Sequence, residues 1–499
     1  MVEDAQMAED NRNIALIAAA DGVPFFKDKH RGCWPFVFRV ANLPDSLSLL
    51  MTNCHLSMFS AREYYGIDPQ TSTVKRIVRE PKSLHPYLMI VCDDLYAAYT
   101  TGHDITDFSV PRGLDGRDFL CRCVLLFWTA DYPGAGYARG MTSSGKHCCH
   151  WCTLDSGPKD KSISRCVYDQ FRRYLPQAHP YRVEPSFGPV ETRAAPEIRT
   201  HAQIVSNGKR NIEYLGSQTG ENAPWKTSGV KEVSPLTYLP GFDIVWDLSP
   251  DIMHIVEGAL QRHLIPVLKG QRVPVRPQRS KMKSNMSERE WKSIKNTWKA
   301  VRDELASWEL SNADRKKLDQ RSKWLGGEAG WIRTGLSVCQ RTGSLKAHDW
   351  LKIAEGSWRY LFYDLFPTDP EGPKEEALFA ILTCLEKLIH AYSHDEVDDE
   401  LNQVSAMSHT DMPALKVETA ELLSVFAKGI PKTELSPIFH IILHIPDAIY
   451  RWGSVRNFWC FWGERYTHMH TYNIIRTHMS NKLHMCRTLY PYVDIIPND

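Results

Sequence analysis

The sequence predicts an α/β protein, on three observations. Apolar runs of strand length occupy the first part of the chain, at residues 14–18, 34–40, 87–92 and 123–128. Two of these runs lead into acidic turns, Ala20-Asp21-Gly22 and Ala130-Asp131-Tyr132-Pro133-Gly134. From Asp251 onward the texture changes to helical spacing. A short apolar run closed by a turn signal reads as a buried strand, whereas apolar recurrence every three or four residues reads as an amphipathic helix.

Taken in order, residues 14–18 form a first strand that places the Asp21 carboxylate at a sheet edge. Residues 34–40 form a second, 87–92 a third, and 123–128 a fourth that carries Asp131 at its end. Residues 155–240 are rich in Pro, Gly and polar side chains and read as loops. Asp251 is suited to cap a helix over 252–268. Trp291, Trp298 and Trp308 share helical spacing over 287–325, and residues 376–390 and 417–428 give further helices. The acidic run from Asp395 to Glu400 reads as a solvated linker. Antiparallel strands followed by an acid-tipped strand suit a ribonuclease-H-like catalytic core, here interrupted by a large, mostly helical insertion. The expected division is 1–154 for the first part of the core, 155–250 for a connecting segment, 251–430 for the insertion and 431–499 for the end of the core.

The 499 residues are 43% hydrophobic, enough for a sizeable core, and allow two or three domains. A net charge of +1 neither favours nor excludes nucleic acid, so local charge must decide. Thirteen irregularly spaced cysteines suit a reducing compartment better than a disulfide framework. Residues 1–13 are polar and acidic, unlike a signal peptide, and no apolar run reaches membrane-spanning length. A soluble intracellular protein without a membrane partner is expected.

Two motifs, far apart in sequence, are half-sites for one metal: Cys149-His150-Trp151-Cys152 and His440-Ile441-Ile442-Leu443-His444. Two thiolates and two imidazoles make a closed tetrahedral zinc site, which is structural because no position stays open. Cys148 and His150 are alternative ligands. Asp131 stands before the cysteines and Glu464 after the histidines, and with Asp21 they form a candidate acid triad. Two Mg²⁺ or Mn²⁺ ions held by such carboxylates stabilise the attacking and leaving oxygens of phosphoryl transfer. Asp251, with His254, is an additional candidate, and Asp251 and the Asp93-Asp94 pair are alternatives for the second aspartate. Basic residues cluster at Arg172, Arg173 and Arg182, and again at Arg276, Arg279, Lys281, Lys283, Lys292 and Lys295, where tryptophans interleave. Such sets neutralise phosphates and stack on bases.

At these residues the sequence resembles the CACTA-type (En/Spm) DNA transposases. The resemblance runs through Ala20-Asp21-Gly22-Val23-Pro24-Phe25, Cys33-Trp34-Pro35 and Asn42-Leu43-Pro44. It continues through Phe127-Trp128-Thr129-Ala130-Asp131-Tyr132-Pro133, Phe171-Arg172-Arg173-Tyr174-Leu175-Pro176 and Asp251-Ile252-Met253-His254. It closes at Pro437-Ile438-Phe439-His440 and Phe461-Trp462-Gly463-Glu464-Arg465-Tyr466. The closing block also resembles, more distantly, the catalytic subunit of the V(D)J recombinase, whose two zinc histidines stand one position further apart. The resemblance implies a DDE-type transposase with Asp21, Asp131 and Glu464 as the catalytic acids and Cys149, Cys152, His440 and His444 on zinc. It further implies double-stranded DNA as partner, a homodimer or higher oligomer, a second element-encoded DNA-binding protein, and a nuclear location. Val-Pro-Phe-Phe stands after Asp21-Gly22 where the family has Phe-Asn-Pro-Phe, and little sequence precedes Asp21. A domesticated or truncated, catalytically inactive DNA- or protein-binding derivative is the alternative reading.

Overall fold

A computed structural model describes residues 7, 10–20, 23–24, 32–43, 54–61, 63–67, 74–78, 84–156, 166–215, 222–272, 274, 276, 286–327, 337–340, 342–366, 372–391, 411–460 and 462. The architecture is mixed α/β, with a small mixed sheet and many helices. It divides into two units, Met1–Leu126 with Cys460–Asp499, and Phe127–Trp459.

The first unit is built on β1 (Ile14–Ala20), which pairs antiparallel with β2 (Gly32–Val40), with Ala20 opposite Phe36. Ile17, Ala18, Ala19 and Ala20 are all buried, as expected of a strand covered on both faces. Two asparagines fix its start. Asn13 accepts from the Arg122 amide, and Asn42 accepts from the Ala15 amide while donating to the Asn13 carbonyl. β3 (Cys54–Ala61) continues the sheet beyond β2, with an irregularity at Phe36/Val37. β4 (Glu63–Ile67) and β5 (Val74–Val78) form a separate hairpin.

Next comes α1 (His85–Thr100), which corrects one expectation. Residues 87–92, read above as a strand, are helical. Pro86 opens the helix, and Leu88, Val91, Cys92, Leu95 and Ala98 make one buried stripe. A six-residue apolar window is too short to separate a buried strand from one face of a helix. β6 (His103–Thr106) and β7 (Asp118–Cys121) form a further hairpin. β8 (Cys123–Thr129) follows and neighbours β1 in the sheet.

In the second unit, the end of β8 pairs parallel with β9 (Leu248–Ser249), Trp128 opposite Leu248 and Thr129 opposite Ser249. The intervening chain carries α2 (Tyr132–Arg139), several short 3₁₀ turns and α3 (His201–Leu215), so the segment expected to be loops contains a helix of 15 residues. α4 (Ile252–Glu257) starts after Asp251, widens into a π turn at Gly258–Leu264 and resumes as α5 (Ile265–Leu268). The helices α6 (Glu288–Ser307), α7 (Asn312–Gly327), α8 (Ala347–Lys352), α9 (Trp358–Phe362), α10 (Pro373–His390) and α11 (Met412–Gly429) complete the helical stretch. α12 (Pro437–Ile441), α13 (Ile445–Trp452) and α14 (Val455–Phe458) close the unit. The Phe458 carbonyl accepts from both Thr129 Oγ1 (2.9 Å) and Ser249 Oγ (3.2 Å), tying α14 to the ends of both parallel strands. Among the described residues, no helix is long and apolar enough to cross a membrane.

Arg139, at the end of α2, is fully buried. It donates to the carbonyls of Ile244, Val245 and Leu248 and to His150 Nδ1, and its guanidinium lies 4.8 Å from the Trp151 ring centre. Burial pulls its pKa down to about 9. This one side chain therefore joins α2 to the segment that leads into β9. Arg139→Met would strand several buried acceptors, each costing about 1–3 kcal/mol, while removing the cost of burying the charge. The net loss expected in urea unfolding is about 2–4 kcal/mol.

Candidate metal centre and acidic cleft

Cys149 and Cys152 lie in the loop after α2, while His440 and His444 sit one helical turn apart on α12 and the 3₁₀ turn that follows it. All four are buried, at 1% exposure or less. Their donor atoms face one another. Cys149 Sγ is 3.4 Å from His444 Nε2, Cys152 Sγ is 3.3 Å from His440 Nε2, the sulfurs are 3.5 Å apart and the two Nε2 atoms 3.3 Å apart. The edges of a Cys₂His₂ tetrahedron around zinc, with metal–ligand distances of about 2.0–2.3 Å, come to about 3.3–3.8 Å. The four residues therefore fit one tetrahedral ion.

The surroundings suit that use. Burial pushes the Cys152 thiol up, but its hydrogen bonds with the Cys149 thiol and the Tyr174 hydroxyl bring it below the usual thiol value. Burial pushes the His440 imidazole down, towards the neutral form that a metal requires. Arg199, also buried, donates through Nε to the carbonyls of Cys149 and Cys152 (3.0 and 2.9 Å) and so shapes the loop. The two alternative ligands lie elsewhere. The Cys148 thiol, pushed up to about 12 by burial, is 2.9 Å from the Tyr168 hydroxyl. The His150 ring stacks on Tyr132 and accepts from Arg139. The contacts of Arg199, Tyr132, Tyr168 and Tyr174 carry no spacing signal and were not expected from sequence.

Beside this centre lies a cleft lined by Asp131, Trp151, Asp251, His254, Arg262 and Ile441. Asp131 stands two residues beyond β8 and Asp251 two residues beyond β9, so adjacent parallel strands deliver both carboxylates to one edge. Each also caps a helix. Asp131 Oδ1 accepts from the Gly134 amide (2.7 Å), and Asp251 accepts from the amides of Met253 and His254. His254 Nδ1 contacts Asp251 Oδ2, which fixes the ring. Burial raises the pKa of Asp131, and the Asp251 charge raises it further, while His254 and Arg262 oppose this. Gly258 is the close-approach point of this wall: a Cβ there would stand 2.3 Å from Ile438 Cδ1 on α12. Trp151 and Ile441 belong at once to the cleft and to the two metal half-sites.

Asp21 and Glu464 lie outside the described residues, as do Arg279, Lys281 and Lys283. Arg182 is 1% exposed and donates to the carbonyls of Leu175, Glu191 and Arg193, among others. Arg172 donates to the carbonyls of Tyr181 and Pro189, and Arg173 to that of Ala194 and to Gln170. These three guanidiniums hold the segment's own backbone. Arg276 is exposed, as are Lys292 and Lys295 on α6, where Lys295 lies over the Trp291 ring at 5.7 Å.

Residues 2–210 match the family model described as Transposase family tnp2. The matched stretch holds Asp131, Cys149 and Cys152, and ends before Asp251 and the two histidines. The match supports a transposase-related function, which implies DNA as a partner. No curated protein matches the chain.

Proposed function

We propose that this chain is the catalytic core of a CACTA-type DNA transposase of the DDE class, which cuts DNA at transposon ends and transfers the freed strand to a target. The observation that carries this reading is the place of Asp131. It lies within the stretch matched to transposases, just past the end of β8, and shares a cleft with Asp251 past β9. Ligand sites of open α/β sheets gather at the carboxyl ends of parallel strands. A ribonuclease-H-like reading of the fold is supported by the run of antiparallel β1, β2 and β3, then α1, then β8 paired in parallel with β9.

Asp131 would hold catalytic metal, and the resemblance to the CACTA-type transposases gives Asp21 and Glu464 the same role. Asp131 Oδ1 is engaged by the Gly134 amide, which fixes the carboxylate and leaves Oδ2 for a ligand. Two Mg²⁺ or Mn²⁺ ions, when bound, supply an activated attacking oxygen and charge stabilisation on the leaving oxygen. The raised pKa of Asp131 means that negative charge in this cleft is costly without cations, so divalent metal would favour its ionised form. Cys149, Cys152, His440 and His444 would hold one structural Zn²⁺. DNA ends and target DNA are the proposed partners and the nucleus the proposed location.

The test is direct. Purified protein with Mn²⁺ and a duplex carrying the element's terminal sequence is expected to yield nicked and joined strands, read on a denaturing gel. Omitting Mn²⁺ is expected to stop both reactions. Folded, zinc-loaded protein that gives no product under these conditions would count against strand transfer and in favour of a non-catalytic DNA-binding role.

A further inference from the structure

The acidic cleft presents two carboxylates to any phosphodiester that enters it, and like charges repel. Holding an anion there takes positive charge from the protein as well as from metal ions. Arg262 stands where it can supply that charge. α4 runs from Asp251 past His254, and after Glu257 it widens into the π turn Gly258–Leu264, which carries Arg262. Single π turns inside helices recur at functional sites, where they re-aim a side chain. Arg262 lines the same cleft as Asp131, Asp251 and His254, and its charge is felt at Asp131. Its side chain is 66% exposed, and its ion pair with Glu257 spans 3.6 Å, beyond hydrogen-bond length. Arg139 and Arg182 commit their guanidiniums to buried backbone carbonyls. Arg262 has no such engagement among its described contacts.

We propose that Arg262 positions the phosphodiester in this cleft, receiving a non-bridging oxygen of the phosphate on which Asp131 and its metal ions act. The assignment rests on the strand-transfer reading given above and names the residue that binds its substrate. A planar guanidinium matches two phosphate oxygens at once, which an ammonium does not. Arg262→Lys should therefore restore only part of what Arg262→Gln loses.

The experiment uses the full chain and a duplex spanning the junction between flanking DNA and the element's terminal sequence. A second duplex carries an uncharged methylphosphonate at the junction phosphate. Binding is measured in Ca²⁺ and cleavage in Mn²⁺. On the normal duplex Arg262→Gln is expected to bind about 10- to 100-fold more weakly than wild type, with an unchanged melting temperature because the side chain is exposed. The penalty for the methylphosphonate is expected to shrink by at least about tenfold in Arg262→Gln, because the contact it removes is already gone. An equal methylphosphonate penalty in both proteins overturns the assignment of Arg262, even where wild type cuts normally. Wild type that neither binds nor cuts the normal duplex overturns the strand-transfer reading itself, and the assignment with it.

Discussion

Cys149→Ser is expected to abolish zinc binding and to unfold much of the second unit. Elemental analysis should fall from about one zinc per chain to background. A structural zinc contributes on the order of 10 kcal/mol in small domains, against a total folding stability of about 5–15 kcal/mol. Even a loss of about 4 kcal/mol would lower the melting temperature by roughly 6 °C in a unit spanning Phe127–Trp459. His440→Ala should behave alike, since each half-site contributes two of the four inward-facing atoms. Because Trp151 and Ile441 line the acidic cleft, both variants should also lose strand cleavage. A Cys149→Ser protein that had lost its zinc yet still cut DNA at the wild-type rate would show that the metal does not organise the cleft.

Asp131→Asn tests the chemistry with the fold left intact. Asparagine caps helices as well as aspartate does, so α2 and the melting temperature should be preserved. Cleavage in Mn²⁺ should nonetheless fall by about 10³-fold or more, equivalent to about 4 kcal/mol of lost transition-state stabilisation. Glu464→Gln is expected to show the same loss. Single-turnover assays on the terminal duplex would measure both. Cleavage within about tenfold of wild type in Asp131→Asn would remove this residue from the site and turn attention to Asp251, its neighbour just past the next strand.

How much of this was legible in the sequence depended on whether a local pattern had one physical meaning. The meeting of Cys149, Cys152, His440 and His444 was legible because two cysteines three apart and two histidines four apart are common ligand spacings. β1 and β8 were legible because each is a short apolar run closed by an acidic turn. Residues 87–92 were not, since a single face of α1 reads like a strand over six residues. The arginines at 172, 173 and 182 illustrate a deeper limit. An arginine offers the same five donors to a phosphate or to a carbonyl, and only tertiary structure shows which it meets. Arg199 and Arg139 were invisible for the same reason, although they hold the metal loop and the strand that leads to Asp251.

The distance between the half-sites has a consequence in time. Cys149 and His444 are 295 positions apart. At about 5–20 residues per second, the cysteines are made roughly 15–60 s before the second histidine. For that interval the Cys149-Cys152 pair has no histidine to meet, and β8 waits equally for β9 and for the Phe458 carbonyl that joins them. The second unit therefore cannot finish folding until the chain has been made through Phe458. Any product that ends before α12 carries two bare thiols, open to oxidation or to exchange of metal with the cell.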